Sequence, residues 1–471
     1  MFTRPGSNSG IKRSLVLAGG GMRVAYQAGV IMALEEAGLE FFHVDGTSGG
    51  IFNIGMLASG LKPKSMAENW RTLKLTHFIS GRRAKNYLKP LKMQGYADAD
   101  NIRDKVFPHL GIDIQQIQSG AHANATFNVC NFSQKSIEAI PCALAKEEHL
   151  IAGVSLPIFM PALKIDNNWY SDAVWIKDAN LMEAVNQGAE EIWLVWAIGN
   201  TPTYLSGAFH QYVHMIEMSA NGGLLEEYKQ IKMFDQLHPE RKPTKLYVIK
   251  SPIPLPLDPD FFFNKVNARE LINMGYKHAK EYLLSKNDNG ENLDHTATSC
   301  SEPSKTLSFR GVYEGGLTLG TDKVPSQYFV YHRYSKFSDE QEIVESYSSI
   351  AIEGHLKETA LFDHQISIEK ENKIPYQIIK GSFLKNGETH TLTTKQKLSG
   401  PWEIIFGLGF KSISIQIIDQ KGKVALEGTL YQSLSNRLKS WYFTSLTTVS
   451  GSGTGIKGKF NMFKDFVAYG I

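Results

Sequence analysis

Residues 14–60 read SLVLAGGGMRVAYQAGVIMALEEAGLEFFHVDGTSGGIFNIGMLASG. Ser14-Leu15-Val16-Leu17-Ala18 is a short apolar run, the pattern of a buried strand, and it ends on Gly19-Gly20-Gly21. Val24 to Ala37 follows with apolar residues at helical spacing (Val30, Ala33, Leu34), and Gly38 stops it. A second turn, Asp45-Gly46-Thr47-Ser48-Gly49-Gly50, then opens another helical stretch, Ile51 to Ser59. Strand, glycine turn, helix and a serine between glycines are the parts from which the rest of the chain is read.

The same alternation continues outward. Glu191 to Trp196 and Lys245 to Ile249 read as buried strands, with a helix over about Gln211 to Phe234 between them. Such alternation predicts a mostly parallel sheet covered by helices, that is, an α/β fold. Residues 286–306 are polar and aperiodic and read as a linker. Beyond them the pattern changes. Ser412 to Ile417 alternates with period two, and Asn386-Gly387 and Lys421-Gly422 fall where hairpin turns are expected. The expected domains are therefore 12–285, 286–306 as linker, and 307–471 as a mainly antiparallel β domain.

Composition excludes several classes. The 471 residues are 42% hydrophobic and 21% charged, which rules out wholesale disorder, collagen and coiled coil. Three scattered cysteines give no disulfide framework and no thiolate zinc site, so a reducing compartment is expected. Residues 1–13 lack an apolar core, so no conventional signal peptide is expected. The longest apolar runs, such as Ile192 to Ile198, are too short to span a bilayer. A net charge of +3 gives no reason to expect nucleic acid. The charge is nevertheless uneven. Lys62 to Lys105 holds eleven basic and four acidic residues, with Phe78, Tyr87, Leu88, Leu91, Met93 and Tyr96 among them. That mixture suits an anionic membrane surface, and equally an amphipathic face covering the core.

The chemistry begins at Gly46-Thr47-Ser48-Gly49-Gly50, which fits G-x-S-x-G. This pattern sets a serine on a tight strand-to-helix turn where flanking Cβ atoms would clash. The N-terminus of the next helix then points its dipole at the serine oxygen. Gly19-Gly20-Gly21 is not a dinucleotide fingerprint, because Val24 stands where the third glycine is required, and no G-K-[ST] follows to make a phosphate loop. Successive amides of a glycine turn can instead converge on one developing negative charge. The residues alone leave the base open. His210, His214 and His278 are distant histidines, and Asp166, Asp172 and Asp178 are nearby carboxylates.

Gly19-Gly20-Gly21-Met22-Arg23, Gly46-Thr47-Ser48-Gly49-Gly50, Ser155-Leu156-Pro157-Ile158-Phe159-Met160-Pro161 and Asp172 together resemble the patatin-like phospholipase family in order and spacing. The likeness covers roughly residues 12–285, including the Pro252 to Leu257 loop and the Gly275-Tyr276 helix. It implies a three-layer α/β/α fold and a Ser–Asp dyad without histidine. Ser48 would be the nucleophile and Asp172 the base. Gly19, Gly20 and Gly21 would form the oxyanion hole with Arg23 fixing it, and Gly46 and Gly50 would shape the nucleophile elbow. Two positions depart from the family pattern. Ala173-Val174 follows Asp172 in place of glycine, and Val24 stands after Arg23 where glycine is common. The β domain is more loosely similar to a module of some bacterial sterol- and lipid-handling oxidoreductases, on Phe309-Arg310-Gly311, Glu427-Gly428-Thr429-Leu430 and Arg437-Leu438-Lys439.

The resemblance implies a lipid acyl hydrolase of phospholipase A type. It would act on phospholipid or another acyl lipid at an anionic membrane surface, in the cytoplasm and peripherally bound. No cofactor, no metal and no nucleic acid are expected, and the sequence names no protein partner. Two other readings stay open: a lipid-binding or membrane-recruitment protein without turnover, and a steryl ester or triacylglycerol esterase or acyltransferase.

Overall fold

The computed structural model describes residues 10–78, 80, 93, 95–198, 203–204, 206–255, 266–294, 298–338, 341–398, 410–448 and 456–468. The chain divides into two compact units, residues 1–262 with 282–301, and residues 263–281 with 302–471.

The first unit is an α/β structure on an eight-stranded sheet. Its strands are β1 (Arg13–Leu17), β2 (His43–Thr47), β3 (Ala125–Asn131), β4 (Ser136–Pro141), β5 (Leu163–Ile165), β6 (Asn168–Ser171), β7 (Glu191–Trp196) and β8 (Lys245–Lys250). They lie in the order β5-β6-β3-β2-β1-β7-β8, with β4 on β3. The run β3-β2-β1-β7-β8 is parallel, while β4, β5 and β6 pair antiparallel at one end. β1 and β7 carry unbroken apolar runs because they are central strands buried on both faces.

Helix α1 (Ala25–Glu36) follows a short 3-10 turn at Gly21–Val24. Gly38 ends it in the left-handed region, at φ 71°. Helix α2 (Gly50–Ala58) begins immediately after the serine turn, and every residue in it is buried. The long helix Ala208–Leu237 buries Glu217, Ala220, Leu224, Tyr228 and Ile231 along one stripe. That stripe packs on Val16, Leu194, Trp196, Leu246 and Val248 of the sheet.

The second unit is antiparallel β, as the period-two pattern predicts. Strands β9 (Lys305–Leu319), β10 (Asp322–Lys336), β11 (Glu342–Ile352), β12 (Leu356–Ala360), β13 (Phe362–Glu371), β14 (Ile374–Lys385), β15 (Glu388–Lys397), β16 (Ser412–Ile418), β17 (Val424–Tyr431) and β18 (Ser445–Thr448) form one sheet. Its order is β12-β11-β10-β9-β17-β16-β15-β14-β13, with β18 on β9. Ile413, Ile415 and Ile417 point into its core. Asn386-Gly387 closes the β14–β15 hairpin, both residues at positive φ (54° and 84°) as a two-residue turn matched to strand twist requires. In the second turn, Asp419 accepts hydrogen bonds from the Lys421 and Lys423 amides, and Gly422 takes φ 77°. Residues 268–281 of the helix Ala268–Ser285 pack within this unit. Glu270 pairs with Arg310 at 2.8 Å, Arg269 with Glu358 at 2.8 Å, and His278 hydrogen-bonds Tyr347 at 3.1 Å.

Candidate active site

β2 ends at Thr47 and α2 begins at Gly50, so Ser48 occupies the sharp turn between them. Its φ of 50° is left-handed, a conformation that costs a serine about 1–3 kcal/mol and persists only where the surroundings enforce it. The surroundings here are close backbone. A Cβ on Gly50 would stand 2.3 Å from the Leu17 carbonyl oxygen, and one on Gly46 would meet the Gly50 carbonyl at 3.1 Å. The spacing G-x-S-x-G thus lets β1, β2 and α2 meet without side chains between them.

Ser48 Oγ donates a hydrogen bond of 2.6 Å to Asp172 Oδ2. Both residues are buried, at 8% and 1% exposure. Asp172 follows β6, and its other oxygen accepts the Val174 amide at 2.9 Å. Burial pushes the Asp172 carboxyl up to about 7, against the opposing hydrogen bonds from Ser48 and Val174. Neither Ala173 nor Val174 falls in the left-handed region, so the turn needs no glycine there. Val24, the other departure, is fully buried and fills the space against Gly49.

The glycine turn lies next to this pair. Gly20 takes φ 145° and Gly21 φ 57° before the 3-10 turn. Arg23 is buried and donates from Nε to the Gly20 carbonyl at 2.9 Å, which ties the loop down. One detail departs from expectation. The Gly19 amide already donates to the Asp178 main-chain oxygen at 3.2 Å, whereas the Gly20 and Gly21 amides have no hydrogen bond among the described residues. Close approach, rather than a free amide, is what Gly19 supplies.

Two buried polar networks hold the parts together, and neither was legible in the motifs. In the first, Trp70 Nε1 donates to Asn53 Oδ1 at 2.8 Å. Asn53 Nδ2 donates to Gln27 Oε1 and to the Val24 carbonyl, both at 2.9 Å, and Gln27 reaches the Ala18 carbonyl at 2.5 Å. In the second, Asp45 accepts from Thr126 at 2.5 Å and Asn128 at 2.6 Å, and Asn128 accepts from Asn180 at 2.9 Å. This chain joins β2, which leads into Ser48, to the loop that carries Asp172. Burial raises Asp45 to about 8 and lowers His43 to about 3, so the interior beside β2 is electrically neutral. From the long helix, Glu227 pairs with Lys177 at 2.6 Å and accepts the Leu181 amide at 2.9 Å.

The other candidate bases, Asp178 excepted, are placed elsewhere. Asp166 sits in the exposed β5–β6 turn and pairs with Lys146 at 3.1 Å. His210 bonds the Ser206 carbonyl at 3.0 Å, His214 lies 3.5 Å from Glu217, and His278 belongs to the second unit. Asp178 is 1% exposed and lies at the glycine turn, its main-chain oxygen accepting the Gly19 amide.

The loop bound by the Asp172 amide, and the segment beside it, carry exposed apolar side chains. Ile158 and Phe159 are 55% and 37% exposed, and Tyr96 is 52% exposed. The 155–161 loop leaves the Asp172 amide at Ser155 and runs alongside residues 96–97, whose amides bond the Ile158 and Phe159 carbonyls at 3.0 and 2.8 Å. Tyr212 packs edge-on against Phe159 and Trp175 beneath it. Of the basic block, Tyr87, Leu88, Leu91 and five of the basic residues lie outside the described residues, as do residues 256 and 257 of the Pro252 to Leu257 loop. Arg103 of that block pairs with Glu147 at 2.8 Å and Arg71 with Glu68 at 3.6 Å. No described helix is long and apolar enough to cross a membrane.

A mostly parallel sheet covered by helices, with a serine at a strand-to-helix turn, is an α/β arrangement of the kind that G-x-S-x-G motifs occupy. Residues 15–185, the span holding Ser48 and Asp172, match the family model for patatin-like phospholipase. At the level of that family the match supports a lipid acyl hydrolase. Among solved structures, VipD from Legionella pneumophila is similar at 12% identity, over 58% of this chain and 67% of that one, with a TM-score of 0.33. No curated protein sequence matches the chain.

Proposed function

We propose that the chain is a phospholipase A-type lipid acyl hydrolase working through a Ser48–Asp172 dyad at a membrane surface. The observation that carries the reading is the 2.6 Å hydrogen bond from the Ser48 hydroxyl to a buried carboxyl whose affinity for protons is raised to about 7. A serine hydroxyl attacks only when a base takes its proton, and a desolvated carboxylate near neutrality is such a base.

Ser48 Oγ attacks the ester carbonyl carbon while its proton passes to Asp172. The negative charge that forms on the carbonyl oxygen faces the Gly20 and Gly21 amides, with the α2 N-terminus behind the serine. The C–O bond to the glycerol oxygen breaks, and that oxygen takes the proton from Asp172. Water then attacks the acyl-Ser48 ester, giving its proton to Asp172, and the fatty acid leaves as Ser48 is re-protonated. The exposed Tyr96, Ile158 and Phe159 support lipid as the substrate class, since they offer apolar contact on the loop bound by the Asp172 amide and the segment beside it. With them the enzyme docks peripherally on the membrane surface.

The test is reaction with a serine-directed phosphonate, followed by fatty-acid release from three substrates: phosphatidylcholine vesicles, phosphatidylglycerol vesicles and emulsified triacylglycerol. Labelling at Ser48 with release from the vesicles supports the proposal. Labelling with release from triacylglycerol alone replaces it with the neutral-lipid reading. Absence of labelling at Ser48 refutes the dyad.

A further inference from the structure

Asp172 is not the sole carboxyl at this site. Asp178 lies in the same loop, is 1% exposed, and neither carboxyl oxygen has a partner within hydrogen-bond geometry among the described residues. It is nevertheless beside the reacting groups. A Cβ on Gly19 would stand 2.3 Å from Asp178 Oδ1 and 2.8 Å from Ser48 Cβ, so both side chains border one point over the glycine turn. The Asp178 main-chain oxygen meanwhile holds the Gly19 amide at 3.2 Å. The residue thus takes one amide out of the turn and sets its own carboxyl beside that amide.

An ionised carboxylate in this position would be buried, with the Gly19 amide as the one donor acting on it among the described residues, and close to a second carboxyl. Both conditions favour the neutral acid. The charged groups acting on Asp178 are Asp172, which opposes its ionisation, and Arg23, which favours it. Arg23 makes no ion pair with it: its Nε serves the Gly20 carbonyl and its Nη1 has no partner among the described residues. Lys177, the preceding residue, is turned to Glu227 at 2.6 Å. Burial outweighs Arg23 and pushes the Asp178 carboxyl well above the usual carboxylate range. A neutral carboxyl group carries an O–H donor, and none of the described residues accepts it.

We propose that Asp178 is a catalytic hydrogen-bond donor, its neutral carboxyl O–H directed at the carbonyl oxygen of the bound acyl ester. It completes, with the Gly20 and Gly21 amides, the stabilisation of the oxyanion. The proposal rests on the Ser48–Asp172 reading above. Asp178 neither gains nor loses its proton over the cycle. The proton of Ser48 passes through Asp172 to the leaving alcohol, and the Asp178 O–H strengthens its bond to the oxygen as charge accumulates there. A donor fixed in a water-poor site is worth more in the transition state than in the ground state, so the effect falls on kcat.

Wild type, Asp178→Ala, Asp178→Asn and Ser48→Ala are compared on a soluble short-chain ester and on phospholipid vesicles. Asp178→Ala is expected to lose roughly 10²–10³ in kcat with KM little changed. Asp178→Asn, whose amide N–H replaces the O–H, keeps most of the activity and retains it at alkaline pH, where wild type declines as Asp178 ionises. Independently of turnover, the infrared band of protonated carboxyl groups at pH 7 is expected to weaken in Asp178→Asn. Full activity in Asp178→Ala beside a dead Ser48→Ala overturns the donor role alone. Hydrolysis by Ser48→Ala overturns the dyad reading, and the donor role with it. Should Asp178→Ala fail to fold, Asp178→Asn decides: an unchanged carboxyl band overturns the proposal.

Discussion

Replacing Gly50 by alanine tests how the Ser48 turn is built. The added Cβ would stand 2.3 Å from the Leu17 carbonyl oxygen and 3.0 Å from that of Ala18, where ordinary contact begins at 3.4 Å. Neither neighbour can rotate away, because both atoms are backbone at the end of a central strand. The helix start must move from β1 by about 1 Å, and a shift of that size at a reacting group costs roughly a hundredfold in rate. Overpacking of this kind destabilises by about 1–3 kcal/mol, a fall of roughly 2–12 °C in melting temperature for a unit of this size. Thermal melts and short-chain ester kinetics measure the two effects together. Gly222→Ala is the control: it lies inside the helix Ala208–Leu237 with none of the described residues within 4 Å of its Cβ, so the change should stabilise by about 0.4–1 kcal/mol. A Gly50→Ala enzyme that melts and turns over like wild type would refute the close approach of β1 and α2.

Other consequences follow from the buried groups. Since Asp172 must be ionised to accept a proton and its carboxyl is raised to about 7, kcat/KM should climb as pH rises through neutrality; a profile already flat from pH 5 would contradict this assignment. Asn53→Ala removes the common partner of Trp70, Gln27 and the Val24 carbonyl, and should cost about 2–4 kcal/mol by chemical denaturation together with most of the turnover. The folded chain holds protons on Asp45, Asp172 and Asp178 that the unfolded chain releases above about pH 4, so these groups make stability fall as pH rises toward 8. Asp45→Asn should lessen that fall in melting temperature, and an unchanged slope would count against a protonated Asp45.

What could be read from the sequence was what local pattern encodes. The β1–glycine–α1 unit, the serine turn and the alternation over Ser412 to Ile417 each depend on neighbours a few residues apart. The Asn386-Gly387 hairpin was legible because only a few residue types favour two successive positive φ angles. β10 shows where pattern fails. Its second half, Tyr328 to Ser335, is buried on both faces, with Arg269 of the neighbouring helix stacked on Phe329, so alternation disappears. The site's supports fail for a different reason. Trp70–Asn53–Gln27 and Asp45–Asn128–Asn180 join residues far apart in the chain, and a buried asparagine carries no periodic mark. The same holds for Asp178: its burial, and its carbonyl's hold on Gly19, arise only when the loop after β6 folds onto the glycine turn.

The central claim is that Ser48 and Asp172 act as nucleophile and base. Fatty-acid release from mixed phospholipid vesicles, measured side by side for wild type, Ser48→Ala and Asp172→Asn, addresses it most directly. The account expects release by wild type and its loss in both variants, with folding intact by thermal melt. Release by folded Ser48→Ala at the wild-type rate would contradict it.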